Sequence, residues 1–153
     1  MQSYLSYLSE KTTRWRAGGL PFFQRDGQVW VCAFVSNDPA YGGPAPQLPK
    51  GMPQPHERPM EVAIREVSEE TGIPPEALGT APFPLPIRTV TSWDGSIYDI
   101  HAHGFPVNRQ YSTPPTEEGQ GKWMTAEQAL QTMRADHRVF VRDLLQHLRH
   151  VSG

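Results

Sequence analysis

The sequence predicts an α/β protein, α+β by some schemes, in which a mixed β-sheet packs between helices. Three observations lead there. Runs rich in aromatic and β-branched residues flank two turn dipeptides, Asp26-Gly27 and Asp94-Gly95. A periodic segment bounded by Pro59 and Gly72 lies between these runs, and two further helical patterns close the chain. At 153 residues a single core is the simplest expectation, and a chain of that length buries roughly two thirds of its unfolded surface without disulfides.

Each element has a local reason. Residues 1–13 are polar, with Tyr4, Leu5 and Leu8 at helix-like spacing, and read equally as a short helix or a docked tail ahead of one domain over 14–153. Trp15 to Phe23 and Gln28 to Ser36 read as strands joined by a hairpin at Arg25-Asp26-Gly27, although Gly18, Gly19 and Pro21 weaken the first. Residues 37–46 have loop composition. Pro59 suits a first helical turn, where its missing N–H would be unpaired anyway, and Gly72 with Pro74-Pro75 ends the helix, giving a span of 59–71. Ile87 to Trp93 and Ser96 to Val107 flank Asp94-Gly95, a dipeptide suited to a two-residue hairpin turn. Loop chemistry over 108–119 precedes a short strand, Gly121 to Met124. Thr125 with Gln128 forms a capping box that opens a helix to about Met133. Val139, Phe140, Leu144, Leu145 and Leu148 mark a last helix over about 136–150.

Composition narrows the function. The 14 Lys and Arg are scattered and the formal net charge is −2, so no basic patch for nucleic acid is evident. Cys32, the only cysteine, lies in the apolar run VWVCAFV and reads as a core thiol suited to a reducing compartment. Neither a secretory pattern nor a bilayer-length apolar run is present, so the expectation is a soluble cytoplasmic protein that does not engage membranes. No pattern sets an oligomeric state. Seven of the 16 prolines fall between Pro39 and Pro59, which predicts long stiffened loops of the kind that hold functional groups.

Successive residues 100° apart on the 59–71 helix place Met60, Ala63, Ile64, Val67 and Thr71 on one stripe and Glu66, Glu69 and Glu70 on the next. Like charges at that spacing disfavour a helix by a few tenths of a kcal/mol per pair. Two readings of the strip remain open: an ordinary solvated face, or convergence on a hard divalent cation, which prefers carboxylate oxygens.

A longer register surrounds the strip. Gly51, five residues, Glu57, seven residues and then Arg65-Glu66-Val67-Ser68-Glu69-Glu70-Thr71-Gly72-Ile73 fill the pattern GX5EX7REUXEEXGU, in which U is bulky and apolar. Chance matches to all these positions occur on the order of once in ten million chains of this size or less. On these residues the chain resembles the Nudix hydrolases. The resemblance implies a Nudix-type α/β/α sandwich, and hydrolysis of a pyrophosphate bond in a nucleoside diphosphate linked to another moiety, with magnesium (Mg2+) or manganese (Mn2+).

It also implies roles. Glu69 and Glu70 are expected as the principal metal ligands, joined by the carbonyl of Gly51 and by Glu66, which ligates or acts as general base. Arg65 is expected to orient the carboxylates and Glu57 to hold Arg65. A further ligand or base is expected from the loop before the short strand, at Glu118 in preference to Glu117. Gly51 reads as a tight turn at the metal and Gly72 as a left-handed helix stop.

Outside the register, Lys50 is placed to set an ammonium beside a substrate phosphate, or else is simply an exposed lysine. His56 is a proton carrier or a bystander. Trp93, Tyr98, Tyr41 and Phe105 are candidates for stacking on a nucleobase. His101 and His103 lack the further spacing of a zinc site. The segment Arg88-Thr89-Val90-Thr91 holds neither the proline of ADP-ribose-type relatives nor the tyrosine of diadenosine-polyphosphate-type relatives. Pro49-Lys50-Gly51 resembles the lead-in of dinucleoside and inositol polyphosphate hydrolases. The expected partner is therefore a small nucleotide or related diphosphate, with dinucleoside polyphosphates ahead. Processing of RNA 5′ ends and an inactive nucleotide-binding regulatory module are the alternatives.

Overall fold

The computed structural model describes residues 15–38, 44–92 and 94–152. The proposed tail or helix at 1–13 and the stacking candidates Tyr41 and Trp93 lie outside them. In chain order the elements are β1 (Trp15–Arg25), β2 (Gln28–Ser36), β3 (Lys50–Gly51), α1 (Pro59–Thr71), α2 (Pro75–Leu78), β4 (Phe83–Pro84), β5 (Arg88–Thr91), β6 (Ile97–Pro106), β7 (Gly119–Thr125) and α3 (Ala126–Thr132). A 3-10 turn (Ala135–His137) then leads into α4 (Arg138–Ser152).

The strands form one mixed sheet in the order β4-β6-β1-β2-β7, with β3 added to β1 and β5 to β6. β1 is the hub. Its far half pairs antiparallel with β2 from Phe22↔Val31 to Arg25↔Gln28, its near half pairs with β3 at Ala17↔Gly51 and Gly18↔Lys50, and its other edge runs parallel to β6. The first hairpin forms where predicted, and its loop is the two residues Asp26-Gly27, with φ of 54° and 76° between the paired Arg25 and Gln28.

The second turn differs from expectation. Thr91 pairs with Ile97, so five residues intervene, and Ser92 N–H donates to Ser96 O (2.7 Å) while Gly95 N–H donates to Ser92 O (3.0 Å). Gly95 is left-handed (φ 84°) as the dipeptide predicts, and the Asp94 carboxylate accepts from the Ser96 N–H and hydroxyl (3.0 and 2.6 Å), so a side chain helps close the longer turn.

Helices cover both faces of the sheet. On one, Val62, Ala63 and Val67 of α1, with Ile73 and Leu78, bury against Ala17, Cys32 and Phe105. On the other, Ala129, Met133, Phe140, Val141 and Leu144 of the C-terminal helices bury against Leu20, Phe22, Val31, Ile100 and Met124. Burying each large side chain of this kind stabilises the fold by about 1.5–3 kcal/mol. Cys32 is the core thiol expected, its ionisation pushed up to about 12 by burial. None of the helices is long and apolar enough to cross a membrane, among the described residues.

Candidate active site

Burial of Val62, Ala63, Val67 and Thr71 fixes the rotation of α1 about its axis, and that rotation assigns three different surroundings to the three glutamates. Glu70 is 7% exposed, the Glu66 side chain 16% and the Glu69 side chain 56%. The helix stops where predicted: Gly72 takes φ 81° and donates its N–H to Ser68 O (2.8 Å).

Arg65 organises the acids. Its Nε donates to Glu57 Oε2 (2.9 Å) and its Nη2 to Glu57 Oε1 (2.8 Å), a two-pronged fork. Nη2 also donates to the Met52 carbonyl (3.0 Å), and Nη1 donates to Glu66 Oε1 (2.8 Å) and lies 3.6 Å from Glu69 Oε2. Glu57 is held down to about 2 by this fork and by the Gln54 N–H, which donates to Oε1 (2.7 Å). Arg65 rises above its ordinary range for the matching reason. His56, exposed and at φ 69°, forms the backbone turn that delivers Glu57.

Gly51 is not the tight turn expected. It is a strand residue of β3, and a Cβ there would sit 2.0 Å from the carboxyl carbon of Glu66, so only glycine lets that carboxylate lie on the backbone. The next residue back ties the strand to the helix, since Lys50 N–H donates to Glu70 Oε1 (3.0 Å). Burial pushes Glu70 up to about 8, against the pull of the Lys50 N–H and ammonium, and Glu66 and Glu118 add repulsion. Glu66 is raised by burial too, offset by Arg65 and reinforced by Glu69 and Glu118. The Lys50 ammonium is lowered by burial, with Glu70 opposing and Arg134 and Arg16 assisting. Lys50 is thus partly buried beside Glu70, not the exposed lysine of the simpler reading.

The loop acids Glu117 and Glu118 lie just ahead of β7. Asn37 pins them: its N–H donates to Glu118 O (2.8 Å) and its Nδ2 to the carbonyls of Thr116 and Glu117 (3.4 and 3.3 Å). Both acids line a cleft of about 980 Å3 that also takes in Lys50, Gly51, Glu66 and Glu70. Glu118 repels both Glu66 and Glu70.

The oxygen donors and their mutual repulsion fit a hard divalent cation. Among the described residues no three acidic, histidine or cysteine side chains gather at metal-binding geometry; Arg65 holds Glu66 and the Lys50 N–H holds Glu70.

Two stacking candidates are unavailable. Phe105 is fully buried, and the Tyr98 ring, 6% exposed, is covered by the Arg16 guanidinium 4.8 Å from its centroid. His103 is a buried strand residue whose Nδ1 lies 3.0 Å from Gly18 O. Sequence reasoning missed Arg16, Asn37, Arg134 and His137. The His137 Nδ1 accepts the Leu48 N–H (3.1 Å) and so holds the approach to β3, while its Nε2 has no partner among the described residues. Only the Asn37-Asp38 loop signal hinted at any of them.

Known proteins share this architecture. A curated relative, an uncharacterized Nudix hydrolase, orf19, from Rhodococcus erythropolis, is 33% identical over 109 residues, which span 66% of this chain and 57% of that protein. The chain is also similar in fold to an Ap4A hydrolase from C. elegans in a binary complex (TM-score 0.75, 19% identity, 90% of this chain and 99% of the other). It is similar as well to the NUDIX domain of Shewanella oneidensis NrtR complexed with ADP ribose (TM-score 0.73, 16% identity, 96% and 99%). The NUDIX domain family matches residues 12–144, the stretch that holds the Arg65 fork, the glycine beneath Glu66 and the cleft beside them, and the chain belongs to that family.

Proposed function

We propose that the chain hydrolyses a pyrophosphate bond in a nucleoside diphosphate linked to another moiety, by attack of water on phosphorus, with dinucleoside polyphosphates as favoured substrates. The observation behind this reading is the Arg65 fork, which holds Glu57, Glu66 and the Met52 carbonyl together beside the cleft. Similarity to an Ap4A hydrolase and to an ADP-ribose-bound domain supports a nucleotide diphosphate as ligand.

Glu66, Glu69, Glu70, Glu118 and the Gly51 carbonyl would hold a magnesium or manganese ion. Such an ion, when bound, neutralises a diphosphate and makes the attacking water more acidic. The chain's own residues do the rest. Arg65 keeps the Glu66 carboxylate aimed, Glu57 keeps Arg65 in place, and Gly72 stops the helix so that Glu69 and Glu70 fall in its last turn. The Lys50 ammonium meets a phosphate oxygen as a point charge. Glu66 or Glu118 accepts the proton from water.

The test is an assay with magnesium or manganese over dinucleoside polyphosphates, ADP-ribose, nucleotide sugars, nucleoside triphosphates and 5′-capped RNA. Turnover is expected on the dinucleoside polyphosphates and is expected to vanish on chelation. No turnover on any substrate would sink the proposal in favour of a nucleotide-binding module.

A further inference from the structure

The glutamates occupy only part of the cleft. Its lining also includes Arg16 of β1, Arg134 between α3 and the 3-10 turn, and Tyr98 of β6, none of which belongs to the 51–73 register. With Lys50 they bring three cations from distant points of the chain to one cavity. Lys50 feels the charge of both arginines, and so does Tyr98. Such a cluster repels itself, and carboxylates around it offset the repulsion, Asp38 and Asp94 of the same cleft lining among them. Asp136 accepts from Arg134 Nε and Nη2 (3.2 and 3.0 Å), and Glu70 attracts Lys50.

Each cation has a built seat. The Arg16 guanidinium lies over the Tyr98 ring, 4.8 Å from its centroid, and a buried ring face strengthens that attraction. Arg134 is held at its backbone by Pro46 O (2.9 Å) and at its side chain by Asp136, which leaves the side chain 18% exposed. Lys50 stands between the two charge groups, its backbone N–H on Glu70 and its ammonium in the field of the arginines. Guanidinium groups match phosphate oxygens through N–H donors held in one plane; Asp136 takes the Nε and Nη2 edge of Arg134, so the Nη1 side is the one that meets phosphate. A cavity of about 980 Å3 lies at the upper end of the range for small-molecule sites, with room for more than a short diphosphate.

We propose that Arg16 and Arg134, acting with Lys50, form a phosphate subsite that holds the phosphate beyond the scissile pair, so that the preferred substrate is a small molecule with three or more linked phosphates. The inference rests on the hydrolytic reading above and deepens it: the acids serve the bond that breaks, and the arginines select the length of the phosphate chain.

Calorimetry on the full chain in magnesium, with inorganic tripolyphosphate and inorganic pyrophosphate as probes, tests the subsite directly. Tripolyphosphate is expected to bind about tenfold or more tightly than pyrophosphate. Arg16→Gln and Arg134→Gln, made singly, are each expected to remove most of that advantage while pyrophosphate affinity stays within about threefold. Equal binding of the two probes to the unaltered chain overturns the subsite, as does an advantage that survives both substitutions. Kinetics separate this failure from that of the hydrolytic reading. Equal kcat/KM on dinucleoside polyphosphates and on ADP-ribose removes the subsite and leaves hydrolysis standing. A tripolyphosphate advantage with no turnover of any substrate removes hydrolysis and leaves the subsite. Preference for RNA 5′-triphosphates over the small polyphosphates overturns the small-molecule assignment.

Discussion

The two faces of the sheet are covered by helices with similar apolar stripes and opposite handling of acids. On α4, Phe140, Val141 and Leu144 are buried and the one acidic residue, Asp143, is spent on a fork to Arg88 (2.9 and 2.6 Å) that fastens the helix to β5. On α1, Val62, Ala63 and Val67 are as deeply buried, but Glu66, Glu69 and Glu70 crowd one another along the stripe's edge. Arg65 neutralises that crowding only in part, since Glu70 is left to burial and Lys50. The difference teaches that packing sets the position of a helix, while the edge of the packed stripe decides whether its charges are staples or chemistry. A charge staple relieves itself; the α1 cluster keeps part of its repulsion, and the proposed function assigns it the cation.

The contrast can be broken first on the α4 face. Phe140→Ala should cost about 3–5 kcal/mol in urea unfolding, with turnover per folded molecule little changed; a matching fall in kcat would mean the two faces are not separable. On the α1 face, Glu70→Gln keeps the acceptor for the Lys50 N–H but removes the charge. It should lower turnover about 100-fold, roughly 3 kcal/mol of barrier, with the unfolding midpoint close to that of the unaltered chain. Magnesium-dependent turnover that survives this change would displace Glu70 from the site. Arg65→Lys sharpens the comparison further, because lysine keeps the charge and loses the fork; about a tenfold fall in kcat is expected. An unchanged kcat would reduce Arg65 to a surface ion pair.

The last prediction concerns pH. Burial lowers the ionisation of His137 well below 6.5 and that of His103 below it, so the fold favours neutral rings and the unfolded chain takes up the protons. Their contribution is complete above about pH 6.5 and is lost as pH falls below it, by up to about 1.4 kcal/mol per pH unit for each ring. Unfolding curves between pH 7.5 and 5.5 should show this slope, and His137→Leu should flatten it. A slope unaltered in that variant would remove His137 as a contributor.

What was legible followed from periodicity and local chemistry. α1 runs from Pro59 to Thr71 as its proline and glycine bounds predict, and Thr125 accepts the Gln128 N–H (3.1 Å) as its capping box predicts. The two-residue strands β3 and β4 and the four-residue α2 were not legible, being too short for a period to show. β7 begins at Gly119, two residues before the expected strand, because Ser36 and Val35 supply partners for Gly119 and Gln120 that no alternation in the polar sequence announces. The Arg65 fork was expected from the 51–73 register. The covering of Tyr98 by Arg16 joins residues 82 positions apart and left no trace in either segment.

By itself, then, the sequence determined the strand and helix periods, the bounds of α1 and the acids grouped along one edge of it, because these depend on neighbours within a few turns of chain. Only the tertiary structure decided that Glu70 is buried while Glu69 stands in solvent, that Gly51 is a strand residue beneath a carboxylate, and that Arg16 and Arg134 share a cleft with the glutamates. Those outcomes depend on where β1, β3 and the approach to α4 meet, and long-range packing, unlike helical spacing, has no period along the chain.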